Sequence, residues 1–509
     1  MPPAGYAHVV EALNLPVPQP RRKAEVSRAV NRRVVLDDRL LLPVRTAPQN
    51  DSVLEHLLFA LRHEGVNLAV LAEALPHVPG GELQHRIDQG PLTAPLRRAT
   101  FLWEHFNRAK LELRPSVKTW IPLFDPEQYV AGPVRRSERW KIDMNGIGGL
   151  AYCPLVEKTD ALKRHLKGDP LGRAARWFAA LGAAKRERVR EWARICEARS
   201  TYALERETSS TERTGRFAEL LGRIEEEDAL SEADLCALQN QLVLSPSSRA
   251  QSRRTEQNWL GRVNGRGALS VTYVPPRPDD LPGLMEGFLA MVNGWDAAVD
   301  PVVRAAVASF GFVYLHPFMD GNGRVSRLLL QREFARPRRL EPGEILPVSA
   351  AIKANEEEYF DALTTFSSPV RRFWDVVYCG GDPPYIFNFK GTSNLYRYWD
   401  GTAQVELLFR MAEEALAVHL QEEVEYLEVF DEVCRRVEER FDIRQNHLFT
   451  LVGSAVDRNG ILSRTIRKRF ADKVEPEALD FIEEAARRVL GRMTTRPHPP
   501  AGGCGCSGN

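Results

Sequence analysis

The sequence predicts a mainly α-helical protein, with a helical core that carries one small β-hairpin and with helical regions on both sides of that core. Apolar residues recur at helical spacing over most of the chain. Asn264-Gly265 marks a tight turn between two short stretches of alternating residues. The 509 residues are 43% hydrophobic and 27% charged, which is typical of a globular protein with several domains.

Three segments are predicted to precede the core. Residues 1–114 form an N-terminal helical module with an extended basic arm, because helical patterns between 53 and 106 follow an arginine-rich start. Within that arm, Arg33 to Leu36 fits a short strand. Residues 115–170 are interrupted by Pro and Gly and are predicted to be a connector with little core of its own. Residues 171–230 are predicted to be helices, including a long charged one from about Gly172.

The core is predicted over residues 231–381, and the run from Gly380 to Pro384 marks its end. Residues 382–493 follow as a C-terminal helical region. Its first helical pattern, from about 402 to 441, contains no breaking residue, so it is predicted to be a packing spine or the surface of a homodimer. Residues 494–509 are rich in glycine and are predicted to be a disordered tail.

Charge and cysteine content narrow the classes of function. Lys and Arg number 69 against 68 Asp and Glu, so no overall field attracts polyanions and a nucleic-acid partner is not indicated. Five of the seven cysteines stand alone, which favours a reducing compartment over a disulfide framework. No apolar run approaches the length of a membrane span, and the start lacks the pattern of a signal peptide. We therefore expect a cytoplasmic protein without a membrane partner.

A twelve-residue stretch, from His316 to Arg327, combines groups suited to nucleotide chemistry. His316 is the group that can accept a proton near neutral pH. Asp320 is an oxygen ligand that suits Mg²⁺ on phosphates. A predicted helix begins at about Asn322, and its free N–H groups and positive dipole end can bind a phosphate there. Two glycines, Gly321 and Gly323, let backbone N–H groups converge on the same phosphate. Two arginines three positions apart, Arg324 and Arg327, can bind successive phosphates.

These twelve residues resemble the HPFx(D/E)GNGRxxR signature of the Fic (Fic/Doc, or Fido) family at every defined position. Stretches on both sides, among them Asn258 to Gly261, Tyr273 to Pro278 and Leu346 to Ser349, resemble the family as well, so the likeness covers about residues 195–380. The resemblance implies a helical core that transfers AMP from ATP, with Mg²⁺, to a Ser, Thr or Tyr hydroxyl of a target protein.

The resemblance also implies a role for each residue of the first half of the motif. His316 removes the proton from the target hydroxyl, and Asp320 holds Mg²⁺ on the phosphates. The anion hole is formed by the backbone of Gly321, Asn322 and Gly323. Family members that act as kinases carry Lys where Gly323 stands, so the glycine favours AMP transfer, while transfer of UMP, GMP or phosphocholine stays open.

The second half of the motif is implied to bind the rest of the nucleotide. Arg324 contacts the leaving phosphates and Arg327 grips the γ-phosphate. Tyr359, in the segment after the motif, is implied as an adenine contact. Its alternative is an ordinary core position on a helix.

An upstream segment, from Glu197 to Arg206, resembles the inhibitory (S/T)xxxE(G/N) segment of the family through Thr201 and Glu205. The resemblance implies that Glu205 pairs with Arg327 and displaces the γ-phosphate. An arginine–carboxylate pair competes directly with an arginine–phosphate pair. Arg206 departs from the Gly or Asn of the family, which bears on the helix end and on the strength of inhibition. The alternative is a chance match in a charged helix.

A short hairpin is predicted between these two segments, because Leu269, Val271 and Tyr273 alternate with small or polar residues. The resemblance implies that this hairpin is the flap that holds a target loop by main-chain pairing at an exposed strand edge. The three residues are therefore candidates for target docking. The alternative is an ordinary β-turn ended by a proline-rich stop.

Three functions follow from the sequence. The first is a protein adenylyltransferase whose partners are ATP and a protein substrate with an exposed hydroxyl, with self-modification included. The second is a hydrolase that removes AMP from a modified protein, with Glu205 placing a water. The third is a regulatory protein that senses nucleotide through the core and acts through its terminal helical modules.

Overall fold

Two buried helices and the loop between them lie at the centre of the computed structural model, which describes residues 3–112, 117–208, 210–223, 229–243, 245, 248–263, 269–336, 339–380 and 384–493. The fold is mainly α-helical with small sheets, as predicted. In the part of the chain that is described, no helix is both long and apolar enough to cross a membrane.

The N-terminal module combines helices with a four-stranded sheet. The strands β1 (Pro3–Ala4), β2 (Lys23–Ser27), β3 (Val34–Val35) and β4 (Arg39–Pro43) lie in the order β1-β2-β4-β3. The helices are α1 (Gly5–Ala12), α2 (Val53–His63), α3 (Leu68–Ala74), α4 (Gly80–Gln89) and α5 (Ala94–Asn107). The predicted strand at 33–36 is confirmed as β3. The basic arm is folded into the sheet, because Ala24, Leu40 and Leu42 bury their side chains against Phe59.

The connector is more buried than the sequence suggests. It contains β5 (Ile121–Pro122), β6 (Arg135–Ser137) and β7 (Ile142–Met144), in the order β5-β7-β6. Trp140, Tyr152 and Cys153 are fully buried. The Tyr152 hydroxyl accepts a hydrogen bond from the Trp399 indole (3.0 Å), and its ring lies edge-on to Phe288. The prediction of a segment with little core is therefore wrong, because its aromatic side chains pack into the helical core.

The central part of the chain surrounds one helix that is buried on almost all sides. Its elements are α6 (Asp160–Gly168), α7 (Pro170–Ala180), α8 (Ala183–Leu204), α9 (Thr211–Gly222), α10 (Glu232–Leu242), β8 (Leu260–Val263), β9 (Leu269–Tyr273), α11 (Leu281–Asn293), α12 (Pro301–Leu315), α13 (Asn322–Ala335), α14 (Val348–Ala354) and α15 (Glu356–Arg371). The charged helix expected from Gly172 is split into α7 and α8, because Leu181 is extended. α12 is buried along almost its whole length and packs on α13, which fixes both ends of the loop between them.

A second hairpin crosses the boundary that was expected after the core. Its strands are β10 (Trp374–Tyr378) and β11 (Tyr385–Phe389), so the Gly/Pro run at 380–384 lies between two paired strands. Residues 381–383 themselves are outside the described part of the chain. Trp374 packs with Val271 and Val274, which ties this hairpin to the β8–β9 hairpin.

The predicted C-terminal helical region, 382–493, begins with strand β11, and its later elements are helices. It contains α16 (Asn394–Arg397), α17 (Thr402–Glu414), α18 (Leu420–Glu438), α19 (Gln445–Val456), α20 (Arg464–Phe470) and α21 (Pro476–Met493). The long pattern from 402 to 441 is α17 and α18, joined by a π-helical turn at Ala415–His419. α17 packs against α12, which fits the packing spine, while the homodimer surface stays a prediction. α19 to α21 close a separate small core. The predicted tail, 494–509, is outside the described residues.

Candidate active site

The loop from residue 316 to 321 joins the buried helices α12 and α13. Asn322 closes this loop: its Nδ2 donates to the Phe318 carbonyl (2.7 Å), and its Oδ1 accepts from the Phe318 N–H (3.0 Å). The amide side chain is therefore used inside the loop. Only the backbone N–H of Asn322 is left for a ligand.

His316 follows the last residue of α12 in a left-handed conformation (φ 48°). Its Nδ1 lies 3.1 Å from the Val313 carbonyl oxygen, so the Nδ1–H donates there and the Nε2 lone pair has no partner among the described residues. His316 is half-buried, and the loss of water around its ring lowers the pKa of His316 to about 4. The Val313 bond opposes this shift, while the charge of Arg254 adds to it. The imidazole is neutral at pH 7 and has a free acceptor nitrogen.

The N-terminus of α13 is a candidate anion site. Gly321 precedes the helix with φ 84°, a conformation that glycine adopts without strain. The helical ladder begins with the bond from the Val325 N–H to the Gly321 carbonyl (3.0 Å), and no side chain of the described residues caps this end. The backbone N–H groups of Asn322, Gly323 and Arg324 therefore point out of the helix, where the helix dipole favours a negative charge.

Arg324 is buried beside this anion site and is held by three acceptors. Its Nη2 lies 2.7 Å from Asp320 Oδ1 and 3.2 Å from Glu207 Oε1. Its Nη1 donates to the Leu242 carbonyl (3.1 Å). Glu207 is bound in turn by Arg213. Arg324, the first arginine of the motif, is thus paired with two carboxylates of its own chain.

Arg327, the second arginine of the motif, lies over the ring of Tyr359 at 4.9 Å. It is 1% exposed, and its Nε and Nη2 have no hydrogen-bond partner among the described residues. Buried donors without acceptors are destabilising, so this guanidinium is suited to an incoming anion. Tyr359 is itself buried against Phe310 and supports Arg327 from below. The expected direct contact of Tyr359 with adenine does not fit this position, because the guanidinium and the core cover its ring.

Glu205, at the C-terminal end of α8, reaches the start of α13. A Cβ atom on Gly323 would lie 1.8 Å from Glu205 Oε1, so the carboxylate occupies the space directly over that glycine. Glu205 is open to solvent on one side, but the loss of water around its carboxylate raises the pKa of Glu205, against the attraction of Arg327 and Arg324. The expected ion pair with Arg327 is not formed among the described residues, since that guanidinium lies over Tyr359.

Thr201 anchors the α8 end from which Glu205 projects. Its hydroxyl donates to Ser349 Oγ (3.2 Å), and Ser349 donates from Oγ and from its N–H to the two oxygens of Glu197 (2.7 and 2.8 Å). Thr201, Ser349 and Glu197 are all buried. This cluster joins α8 to α14 and places the helix end over the anion site.

Arg206 adopts a left-handed conformation (φ 58°) at the end of α8. Glycine and asparagine adopt this conformation readily, which explains why the family pattern has them at this position. An arginine there is strained by about 1–2 kcal/mol. Arg206 therefore lowers the stability of the helix end, while the left-handed geometry is kept.

The β8–β9 hairpin has the strand pairing that the sequence predicts, with Val263 opposite Leu269. However, Val271 and Tyr273 are buried, and the Tyr273 hydroxyl donates to the Tyr314 carbonyl. These two side chains therefore hold the hairpin on the core, which leaves the main chain of β9 for target docking. The side chain of Leu269 and the turn at 264–268 are outside the described part. Docking along the strand edge stays a prediction.

Three buried polar residues that the sequence analysis did not single out hold the main chain of the loop. The bonds run from Arg254 Nε to the His316 carbonyl (2.9 Å), from Asn258 Nδ2 to the Phe318 carbonyl (3.0 Å) and from Gln239 Nε2 to the Asp320 carbonyl (3.1 Å). Asn258 lies in a stretch that resembles the family, which was a usable signal. Glu207 was also missed, although it stands only two residues after Glu205.

Known proteins are similar to parts of this chain. The chain is similar to "Protein adenylyltransferase Fic" of Drosophila willistoni and of Drosophila ananassae, each 48% identical over 59 residues. These residues are 11% of this chain and span only 12% of each relative. A Fic family protein from Desulfovibrio desulfuricans G20 has a similar structure at 18% identity, with a TM-score of 0.38 over 62% of this chain and 87% of that chain. Residues 229–333, which include the His316 loop, match the Fic/DOC family model, so this part of the chain is a Fic/DOC family domain.

Proposed function

We propose that this protein transfers AMP from ATP to a Ser, Thr or Tyr hydroxyl of a target protein, and that the end of α8 restrains this activity. The observation that carries the proposal is the neutral His316, with Nε2 free, on the same short loop as an uncapped helix N-terminus. Arg324 and Arg327 are buried beside that terminus. A base next to a polyphosphate site is the equipment that nucleotidyl transfer requires. The name of the Drosophila relatives supports the same reaction.

The phosphates of ATP fit the start of α13. The N–H groups of residues 322–324 would bind one phosphate, while Arg324 and Arg327 would neutralise the leaving phosphates. The Asp320 side chain is 44% exposed at the edge of this site, so its carboxylate can hold Mg²⁺ there. The metal ion, when bound, supplies positive charge to the phosphate oxygens.

His316 performs the proton transfer. Its Nε2 takes the proton of the target hydroxyl, and the hydroxyl oxygen forms a bond to the α-phosphorus. The bond from the α-phosphorus to the bridging oxygen of the β-phosphate breaks, and pyrophosphate leaves with that electron pair. The protein contributes position and charge, because no covalent intermediate is needed.

Two carboxylates of the α8 end occupy the groups that ATP needs. Glu205 lies over Gly323, and Glu207 pairs with Arg324. Phosphates must displace both to bind in full. Inhibition in this proposal is therefore a direct competition between carboxylates and phosphates at one helix end.

The proposal is tested with the Glu205→Gly protein and ATP labelled at either the α-phosphate or the γ-phosphate. The α-label is expected to appear on a target or on the protein itself, with a mass gain of one adenylyl group, while the γ-label stays in solution. Adding His316→Ala is expected to abolish labelling. Glu212→Gln is the matched control, because Glu212 is an exposed carboxylate in an ion pair with Arg216.

Other results would favour the other functions. Transfer of the γ-label would show a kinase, and labelling by UTP, GTP or CDP-choline would show a different group. Release of AMP from an AMPylated protein without forward transfer would favour the hydrolase. ATP binding by Glu205→Gly with no transfer of any group would favour the nucleotide-sensing regulator.

A further inference from the structure

Arg254 is a buried cation that contacts the catalytic loop from outside the family motif. It is 4% exposed and lies just before β8. Its Nε donates to the His316 carbonyl (2.9 Å), and its backbone N–H donates to the Pro317 carbonyl (2.7 Å). Its Nη1 donates to the Glu256 carbonyl (3.0 Å), and its Nη2 donates to the Pro276 carbonyl. Every one of these acceptors belongs to the main chain.

These contacts join the base to the flap. His316 turns the chain out of α12 in its left-handed conformation, so the carbonyls of His316 and Pro317 lie beyond the helical ladder. Pro276 lies three residues after the end of β9. One guanidinium therefore fixes the loop that carries the base relative to the exit of the hairpin.

A role in packing alone does not account for this side chain. Among the described residues, Arg254 has no ion pair with a carboxylate, and burial lowers the pKa of Arg254 to about 10, so it is charged at neutral pH. A buried charge without a counter-ion is destabilising unless its N–H groups are all bonded. An apolar side chain would fill the same volume without that penalty.

We propose that Arg254 is a positioning residue for the transfer reaction, which holds the main chain at His316 so that Nε2 faces a hydroxyl presented at the flap. This inference rests on the proposed function, in which His316 is the base. The charged groups that face His316 are Arg254 and Asp320. None of the bonds of Arg254 involves the anion site at α13.

The test compares Arg254→Lys with Arg97→Lys in the Glu205→Gly protein. Arg97 is the matched control in the N-terminal module: it is 3% exposed, and its side chain bonds the main-chain carbonyls of Trp140 (2.7 Å), Thr119 (2.8 Å) and Lys141 (2.6 Å). Lysine keeps the charge at both positions but cannot span several acceptors. In Arg254→Lys, kcat is expected to fall about 10- to 100-fold while KM for ATP stays within about threefold. In Arg97→Lys, the thermal midpoint is expected to fall without a change in kcat.

A second readout does not depend on transfer. The ring nitrogens of His316, labelled with ¹⁵N and assigned with His316→Ala, are expected to show a protonated Nδ1 and an unprotonated Nε2 without ATP, as the Val313 contact requires. In Arg254→Lys the two tautomers are expected to mix. Arg254→Gln, which retains hydrogen-bond donors without the charge, gives the same comparison where the Lys variant does not fold.

The inference is overturned by a folded Arg254 variant with the parent kcat and the parent tautomer. A loss of kcat that Arg97→Lys reproduces also overturns it, because the effect would then be a general loss of stability. If the Glu205→Gly parent transfers no group, the proposed function fails by itself. The ring spectrum of His316 then decides the role of Arg254 alone.

Discussion

Replacing Glu207 with Gln is expected to strengthen ATP binding about fivefold, because it frees Arg324. The Glu207 oxygens lie 3.2 and 3.4 Å from the two terminal nitrogens of Arg324. The side chain of Arg324 is 3% exposed, and that of Glu207 is 31% exposed. An exposed ion pair contributes about 0.5 kcal/mol and a buried charged hydrogen bond about 2 kcal/mol, so this intermediate pair contributes about 1 kcal/mol. A phosphate that displaces Glu207 must overcome that amount, which corresponds to about a fivefold change in Kd.

The assay is calorimetric titration of ATP into wild type, Glu207→Gln and Glu212→Gln. Glu212 is the control for net charge, because it loses the same negative charge from an exposed pair on α9 (69% exposed). The fivefold change refers to Glu207→Gln relative to this control. A Kd that is unchanged, or that changes equally in both variants, would refute the claim that Glu207 occupies a phosphate-binding group.

Three other perturbations test the same site. The ratio of Glu205→Gly activity to wild-type activity is expected to fall as pH falls. Because the pKa of Glu205 is raised, its carboxylate loses its charge at a higher pH than an ordinary glutamate does, and the wild type is then less restrained. His316, with a pKa of about 4, stays a base. A ratio that is constant from about pH 8 to about pH 5 would contradict this. Tyr359→Leu is expected to raise the Kd for ATP about 3- to 10-fold by removing the ring under Arg327, while Tyr359→Phe keeps it, as titration would show. Arg206→Gly is expected to raise the thermal midpoint and to lower basal labelling, because it relieves about 1 kcal/mol of left-handed strain; an unchanged midpoint would contradict it.

The helices were predictable from the sequence, and most of the small sheets were not. The pattern from 402 to 441 became α17 and α18, because helical spacing is a local property of the chain. The N-terminal sheet pairs β2 with β4 across more than ten residues, and β1 is only two residues long, too short to show a period, so β3 is the one strand of this sheet that was predicted. At 380–384, glycine and proline mark a turn but do not indicate whether the flanking strands pair.

The residues of the candidate site also divide into those that could be predicted from the sequence and those that could not. The loop from His316 to Arg327 is contiguous, so its chemistry could be read from residue types and spacing. Arg254 lies 62 positions from His316, and Glu207 lies 117 positions from Arg324, so only the fold brings them together. For the hairpin, alternation separates two faces of β9 but does not say which face is buried, and Val271 turned out to lie on the buried face.

Under the proposed function, restraint of transfer and stability without ATP have a common origin in this site. Arg324 and Arg327 are both buried, and a buried guanidinium without a nearby anion is destabilising by several kcal/mol. Glu205 and Glu207 supply negative charge at this helix end when no phosphate is present. Under the proposed function, the same two carboxylates must leave when the phosphates of ATP arrive, because Glu205 occupies the space over Gly323 and Glu207 occupies Arg324. A site that stabilises transferring phosphates therefore requires another anion when ATP is absent. A carboxylate on an adjacent helix end supplies that anion and, by the same contact, inhibits the site.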